Sequence, residues 1–223
     1  PRSVSSAASD VYKRQVVYKG LVMPSEFDSF YSDLSETSHR TASVMFHIRF
    51  STNTSPKWHL AQPYRVIAHN GEINTISGNR NWALARMNNL SSKRFGNMRK
   101  YQPLVNQSGS DSSSLDNMIE VLKEGGVNIG RAARMLIPPS WQNTDLMDSD
   151  EKAFHEYNSM HMEAWDGPAL ICFQDKNFLS CFLDRNGLRP AKIEFFNDET
   201  VCISSEFGSN NDNLKTIKTD RLG

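Results

Sequence analysis

No stretch of this sequence approaches the roughly 20 consecutive apolar residues that a membrane-spanning helix needs, so the chain is expected to be soluble. An excess of one charge sign is also missing. Lys+Arg and Asp+Glu are both 25, for a formal net charge of zero, which removes any global electrostatic case for nucleic acid or an anionic membrane. The one basic cluster, Lys93, Arg94, Arg99 and Lys100, reads as a solvated helix end or loop. Cysteine is scarce: Cys172, Cys181 and Cys202 sit in apolar segments without a C-x-x-C pair. That argues against a disulfide frame or a zinc site and for reduced core thiols in a cytoplasmic compartment, or a plastid if the source is a plant or alga. Metal-ligand spacing is absent too, since His155 and His161 lie six apart rather than the four that put two ligands on one helix face.

What is present suffices for one domain with a sizeable core, because the chain has 223 residues. Residues 1–15, PRSVSSAASDVYKRQ, are Ser- and Ala-rich without periodicity or the apolar core of a signal peptide. They are expected to be a non-native or disordered leader, with the domain running over 16–223. Residues 16–23 alternate and stop at Pro24, which predicts a strand, and Phe27, Phe30, Tyr31 and Leu34 have helical spacing. A second strand is expected over 42–50, ending at Arg49 and Phe50 before the polar run Ser51-Thr52-Asn53-Thr54. Arginine there reads either as part of an anion cradle or as a surface residue beside an ordinary turn.

A third apolar run, 64–68, meets His69-Asn70-Gly71. Helices are expected over 79–90, over 110–126 and over 130–137, the last stopped by Pro138-Pro139. The 110–126 helix has Ser112 or Ser113 as cap, Leu115, Met118, Ile119 and Leu122 on one face, and Gly125-Gly126 as its stop. Asp111 therefore stands at a helix entrance, where an acid complements the helix dipole or serves as a ligand. A further helix starts at Asp148 or Ser149 and runs to about residue 162. After Trp165-Asp166-Gly167-Pro168 the period changes to two, predicting strands at 169–173, 178–183, 191–196 and 200–204. The order of elements predicts an α+β fold with helices on stacked, largely antiparallel sheets.

Asn70-Gly71 admits two readings. Asn-Gly is the strongest short hairpin signal, since both residues tolerate positive φ. It can also form an oxyanion hole, with the Asn amide and the Gly N–H donating to one developing charge. Arg49 to Thr52, Asn70-Gly71 and Asp111 all adjoin element ends, so the three stations could line one rim of a sheet.

Together they resemble the glutamine pocket of class II, N-terminal-nucleophile amidotransferases, in the order Arg-aromatic-x-Thr, His-Asn-Gly, then Ser-Asp before a helix. The wording is most similar to the amidotransferase domain of the glutamate synthase large subunit. The matching runs are HIRFSTNTSPKWHLAQPYRVIAHNGEINTISGNRNW at 47–82, SDSSSLDN at 110–117, MEAWDGPALI at 162–171, LDRNGLRP at 183–190 and VYKGLVMP at 17–24. The resemblance implies a four-layer α/β/β/α sandwich, here incomplete at the N-terminus, and hydrolysis of glutamine to glutamate and ammonia that feeds 2-oxoglutarate amination.

It implies that Arg49 grips the glutamine α-carboxylate with help from Thr52, that Asp111 receives the α-ammonium, and that Asn70 and Gly71 hold the oxyanion. Asp184, Arg185, Asn186 and Arg189, like Ser204-Ser205-Glu206-Phe207-Gly208, are implied to be supporting structure. The family's nucleophile is an N-terminal cysteine whose α-amine acts as base, and this chain starts with Pro1. It is thus expected to be a fragment, inactive alone and without cofactors of its own. FMN, an iron–sulfur cluster, the later synthase domains and a reductase subunit or ferredoxin are implied for the full-length protein. The competing expectations are an amidophosphoribosyl or aminosugar-forming amidotransferase, and a glutamine-binding module without catalysis.

Overall fold

The computed structural model describes residues 16–38, 40–50, 55–175, 177–206, 208–209 and 214–222. The expected 1–15 leader and Thr52 lie outside them. Among the described residues, five α-helices and eight β-strands follow in chain order: α1 (Phe27–Phe30), β1 (Ile67–Gly71), α2 (Ile76–Arg86), β2 (Ser91–Ser92), β3 (Gly96–Asn97), α3 (Asp111–Glu124), α4 (Ile129–Leu136), α5 (Ser149–Ser159), β4 (Ala169–Gln174), β5 (Leu179–Leu183), β6 (Ala191–Phe196), β7 (Val201–Ser204) and β8 (Thr216–Leu222). They form two three-stranded sheets, ordered β1-β4-β5 and β7-β6-β8, and a β2-β3 ribbon. All the pairings are antiparallel. The fold is α+β.

The helices cover one face of the first sheet. Leu115, Met118 and Ile119 of α3 and Ala132, Ala133 and Leu136 of α4 share a buried cluster with Ile67 of β1 and Ile171 and Phe173 of β4. Register sorts the two faces. Ile67 faces Phe173 and His69 faces Ile171, so these four point towards the helices. Ala68, opposite Cys172, and Asn70, opposite Leu170, therefore point to the other face, because successive side chains alternate.

Helix ends follow the polar residues beside them. Ser110, not Ser112 or Ser113, caps α3, accepting from the Ser113 N–H at 3.1 Å, while Ser112, Ser113 and Ser114 are buried. Asp148 caps α5, accepting from the amides of Asp150 and Glu151. Gly126 takes φ 91° just past the end of α3, the left-handed residue that ends many helices.

Two expected strands are not there. Residues 16–23 and 42–50 carry no strand pairing. In the second, Val44, Phe46 and Ile48 are exposed while Ser43, Met45 and His47 are half-buried, so the side chains alternate as in a strand. The segment is held by side chains instead: Gln174 Nε2 donates to Ser43 Oγ at 3.0 Å, and the His47 ring bonds the backbone of His69. Alternation marks a surface that fits a sheet, but a strand also needs a partner backbone in register. Another correction concerns the corner. Asn70 and Gly71 are not a tight turn; they are the last paired residues of β1.

Asp116 ties α3 to the start of β1. Its side chain is buried, and Oδ1 accepts from the N–H groups of Val66 at 2.9 Å and Ile67 at 3.1 Å. Burial pushes its pKa up to about 6, against the pull of those amides. A carboxyl whose pKa is higher folded than unfolded favours the native state below the unfolded value near 4, and that contribution is lost as pH rises through about 6. Asp116→Asn keeps the acceptor and removes the charge. Its stability relative to the parent is expected to rise by on the order of 2–3 kcal/mol between pH 4 and pH 7, read from urea denaturation at both pH values. A difference independent of pH would contradict this.

Candidate active site

The site gathers where β1 ends. Asn70 points away from the helices, and its Nδ2 donates to Ser205 Oγ at 2.7 Å, just past β7. Glu206 Oε1 lies 3.5 Å from the same nitrogen and pairs with Arg189 Nη2 at 2.8 Å. The amide carries two N–H donors, and Ser205 fixes the plane in which both lie. The orientation of Asn70 is thus set by a residue 135 positions away.

Gly71 is required by contact. Its φ is 148°, and a Cβ there would stand 2.0 Å from the Pro168 carbonyl oxygen and 2.6 Å from Ala169 Cα. The chain runs on in the same close approach, Glu72 N donating to Pro168 O at 3.1 Å and Asn74 N to Asp166 O at 2.8 Å. Gly167 answers from the opposite side, since a Cβ on it would be 2.0 Å from Glu72 O. The runs GEIN and WDGP are therefore two halves of one track, with a glycine where each backbone presses on the other.

Asp111, the first residue of α3, reaches this track. Oδ2 accepts from Ile73 N at 2.8 Å and Oδ1 from Ser112 N at 2.7 Å, which fixes the carboxylate while leaving each oxygen further lone pairs. The α3 entrance is braced by Arg80, which donates to Gly109 O at 2.7 Å and Ser114 Oγ at 3.1 Å. Tyr64 OH and Ser110 Oγ are 2.7 Å apart. The serine-rich run is thus mostly internal bonding.

Arg49 is exposed, and its N–H donates to His47 Nδ1 at 3.2 Å. The structure therefore joins Asp111 to Asn70-Gly71 through the end of β1, and tethers the segment of Arg49 to the same strand through His47. It does not place the Arg49 guanidinium on either. Between them sits His69, buried and subject to the fields of Asp111, His47, Arg189 and Glu72. Burial pushes its pKa down, so its ring is neutral at neutral pH, and burial does the same to His47.

The sequence gives Arg189 and Ser205 only supporting roles and assigns no role to His69. The signal for the loop bearing Arg189 was the Asp-x-Asn-Gly run. The buried Asp184 accepts from the amides of Ala169, Asn186, Leu188 and Arg189 at 2.9–3.1 Å. Burial alone would raise the pKa of this carboxyl, and those four donors outweigh it and hold it below the usual carboxylate range.

The sequence matches the family model for Glutamine amidotransferases class-II over residues 5–223. The chain belongs to this family. Among its relatives are the Glutamate synthase [NADPH] large chain of Bacillus subtilis, 46% identical over 194 residues, which covers 86% of this chain and 13% of the relative. The Glutamate synthase [NADH] of Schizosaccharomyces pombe is 41% identical over 201 residues, 89% of this chain and 10% of that one. The Ferredoxin-dependent glutamate synthase of Antithamnion sp. is 40% identical over 214 residues, 94% of this chain and 14% of that one. This amidotransferase chain thus spans only a tenth to a seventh of the relatives it matches. Among the described residues, no group of three His, Cys, Asp or Glu side chains could hold a metal ion, and no helix is long and apolar enough to cross a membrane.

Proposed function

We propose that this chain is the glutamine-hydrolysing part of a glutamate synthase, built as a four-layer α/β/β/α sandwich. The observation that carries this is the convergence of Asp111 and Asn70-Gly71 at the end of β1, joined by the Ile73 N–H bond to Asp111 Oδ2. A zwitterionic amino acid needs an anion for its ammonium and a cation for its carboxylate. Asp111 supplies the first and Arg49, with Thr52, the second. Hydrolysis of the side-chain amide then places an oxyanion a few bonds away, where the Asn70 amide and the Gly71 N–H donate to it.

The nucleophile in this reading is an N-terminal cysteine thiol, deprotonated by its own α-amine. It adds to the glutamine amide, ammonia leaves, and water cleaves the thioester to release glutamate. None of this chain's cysteines fits that role, because Cys172, Cys181 and Cys202 lie within β4, β5 and β7. The chain on its own is therefore expected to release no ammonia from glutamine. In the complete polypeptide, the ammonia would aminate 2-oxoglutarate in further synthase domains using electrons from a reductase subunit or ferredoxin. FMN and an iron–sulfur cluster would serve that second half-reaction in the further synthase domains, and no step of the hydrolysis is routed through them.

In the complete polypeptide, Asp111→Asn is expected to raise KM for glutamine about 10- to 100-fold, the worth of one charged hydrogen bond, with KM for 2-oxoglutarate unchanged. Steady-state assays with each substrate varied in turn check it. An unchanged glutamine KM would overturn the assignment, and a complete polypeptide that binds glutamine without hydrolysing it would favour a binding module.

A further inference from the structure

Cys172 of β4 and Cys181 of β5 are register partners, with their Sγ atoms 3.0 Å apart. Both thiols are free and half-buried. Directly opposed residues of an antiparallel pair hold their Cα atoms about 4.5–5.5 Å apart, inside the roughly 4.4–6.8 Å range of disulfides. Closing a bond between these sulfurs needs no movement of the strands. Among the described residues, β5 is an edge of its sheet, so a small reagent can approach from that side.

The position of the pair gives it meaning. Ala68, Cys172 and Cys181 form one cross-strand row, and Asn70, Leu170 and Leu183 form the next row on the same face. That face is the one from which Asn70 reaches Ser205. The third thiol, Cys202, belongs to the other sheet.

We propose that Cys172 and Cys181 are a thiol–disulfide modification site, oxidised by low-molecular-weight disulfides of the glutathione class, which staples β4 to β5 one row from Asn70. The thiolate of Cys172 attacks one sulfur of the small disulfide; that S–S bond breaks, and the first thiolate leaves and takes up a proton from solvent. Cys181 then loses its proton to solvent and attacks Cys172 Sγ. The mixed disulfide breaks, and the second small thiolate leaves and is protonated in turn. Two protein thiols are oxidised by two electrons, and one small disulfide is reduced to two small thiols. The hydrogen bond between the two sulfurs favours the thiolate of the first attacker, and with the roles of the two cysteines exchanged the chemistry is the same. None of this depends on the glutaminase reading.

The test incubates the full chain with graded ratios of oxidised to reduced glutathione, blocks remaining thiols with an alkylating reagent, and maps the peptides by mass. The expected result is loss of two hydrogens, a peptide linkage between Cys172 and Cys181, and alkylation of Cys202 alone. Oxidation should also raise the thermal midpoint by about 5 °C, as expected for closing a loop of roughly ten residues, and the rise should vanish in Cys172→Ser. Cys202→Ser should still form the link, which keeps the test decisive if the other variant folds poorly. Three alkylatable thiols at the most oxidising ratio, or a bond that involves Cys202, would overturn the proposal.

Discussion

Asn70→Ala in the complete polypeptide is expected to reduce the rate of glutamine hydrolysis by about 100- to 1000-fold, the cost of removing one oxyanion-hole donor. An oxyanion-hole donor acts on charge that exists only in the transition state, so kcat should fall while KM for glutamine stays within a few-fold. The Asn70 amide is held by Ser205 Oγ at 2.7 Å. Ser205→Ala leaves the donor in place but frees its plane, and about a 10-fold loss in kcat is expected, smaller than removal because the amide still samples the right orientation. Ammonia release under saturating glutamine measures both. Equal losses in the two variants would mean that Asn70 serves only to anchor Ser205, and an Asn70→Ala enzyme at near-parental kcat would remove the oxyanion hole from this corner.

Gly71→Ala should be strongly destabilising for a single-methyl change. The added Cβ would sit 2.0 Å from Pro168 O, 2.6 Å from Ala169 Cα and 2.9 Å from Ala169 Cβ, with φ at 148°. Two of those atoms are backbone of a buried strand and its approach, so neither can swing aside as a side-chain tip could. Backbone strain and the clash together predict a loss of about 3 kcal/mol or more. Gly167→Ala, which presses on Glu72 O from the other side at 2.0 Å, should match it. Gly78 in α2 is the control: nothing lies within 4 Å of its Cβ position, and Gly78→Ala should stabilise by up to about 1 kcal/mol through helix propensity. Urea midpoints of the three variants decide it. If Gly71→Ala tracks Gly78→Ala, the tight track between β1 and the turn before β4 is not real.

Much of the architecture could be read from local pattern. The period-two runs placed β4, β5, β6 and β7 to within a residue at each end, because each is a short run rich in apolar, β-branched and aromatic residues bounded by turn residues. The α3 helix was legible from Leu115, Met118 and Ile119, all now in the core, and its glycine stop from the only residue type that takes positive φ without strain. Asp111 could be placed at the helix entrance for the same local reason.

What sequence alone did not decide was everything that depends on a partner distant in the chain. Residues 42–50 alternate as a strand should, yet among the described residues no backbone pairs with them. Residues 216–222 show the converse, being exposed nearly throughout and carrying no burial pattern, yet they join the sheet through the backbone of β6. Main-chain hydrogen bonds carry no residue signature. Asn70-Gly71 carries the local signature of a turn, and the competing contact came from Pro168 and Ala169, nearly a hundred positions away. The spacing of Cys172 and Cys181 signalled no pair, and strand register alone set their sulfurs 3.0 Å apart. Composition and periodicity therefore determined the longer helices, the strands β4 to β7, and which residues carry charge and polarity to their ends. Only tertiary structure decided what those ends face, because register and close backbone approach are set between segments rather than within them.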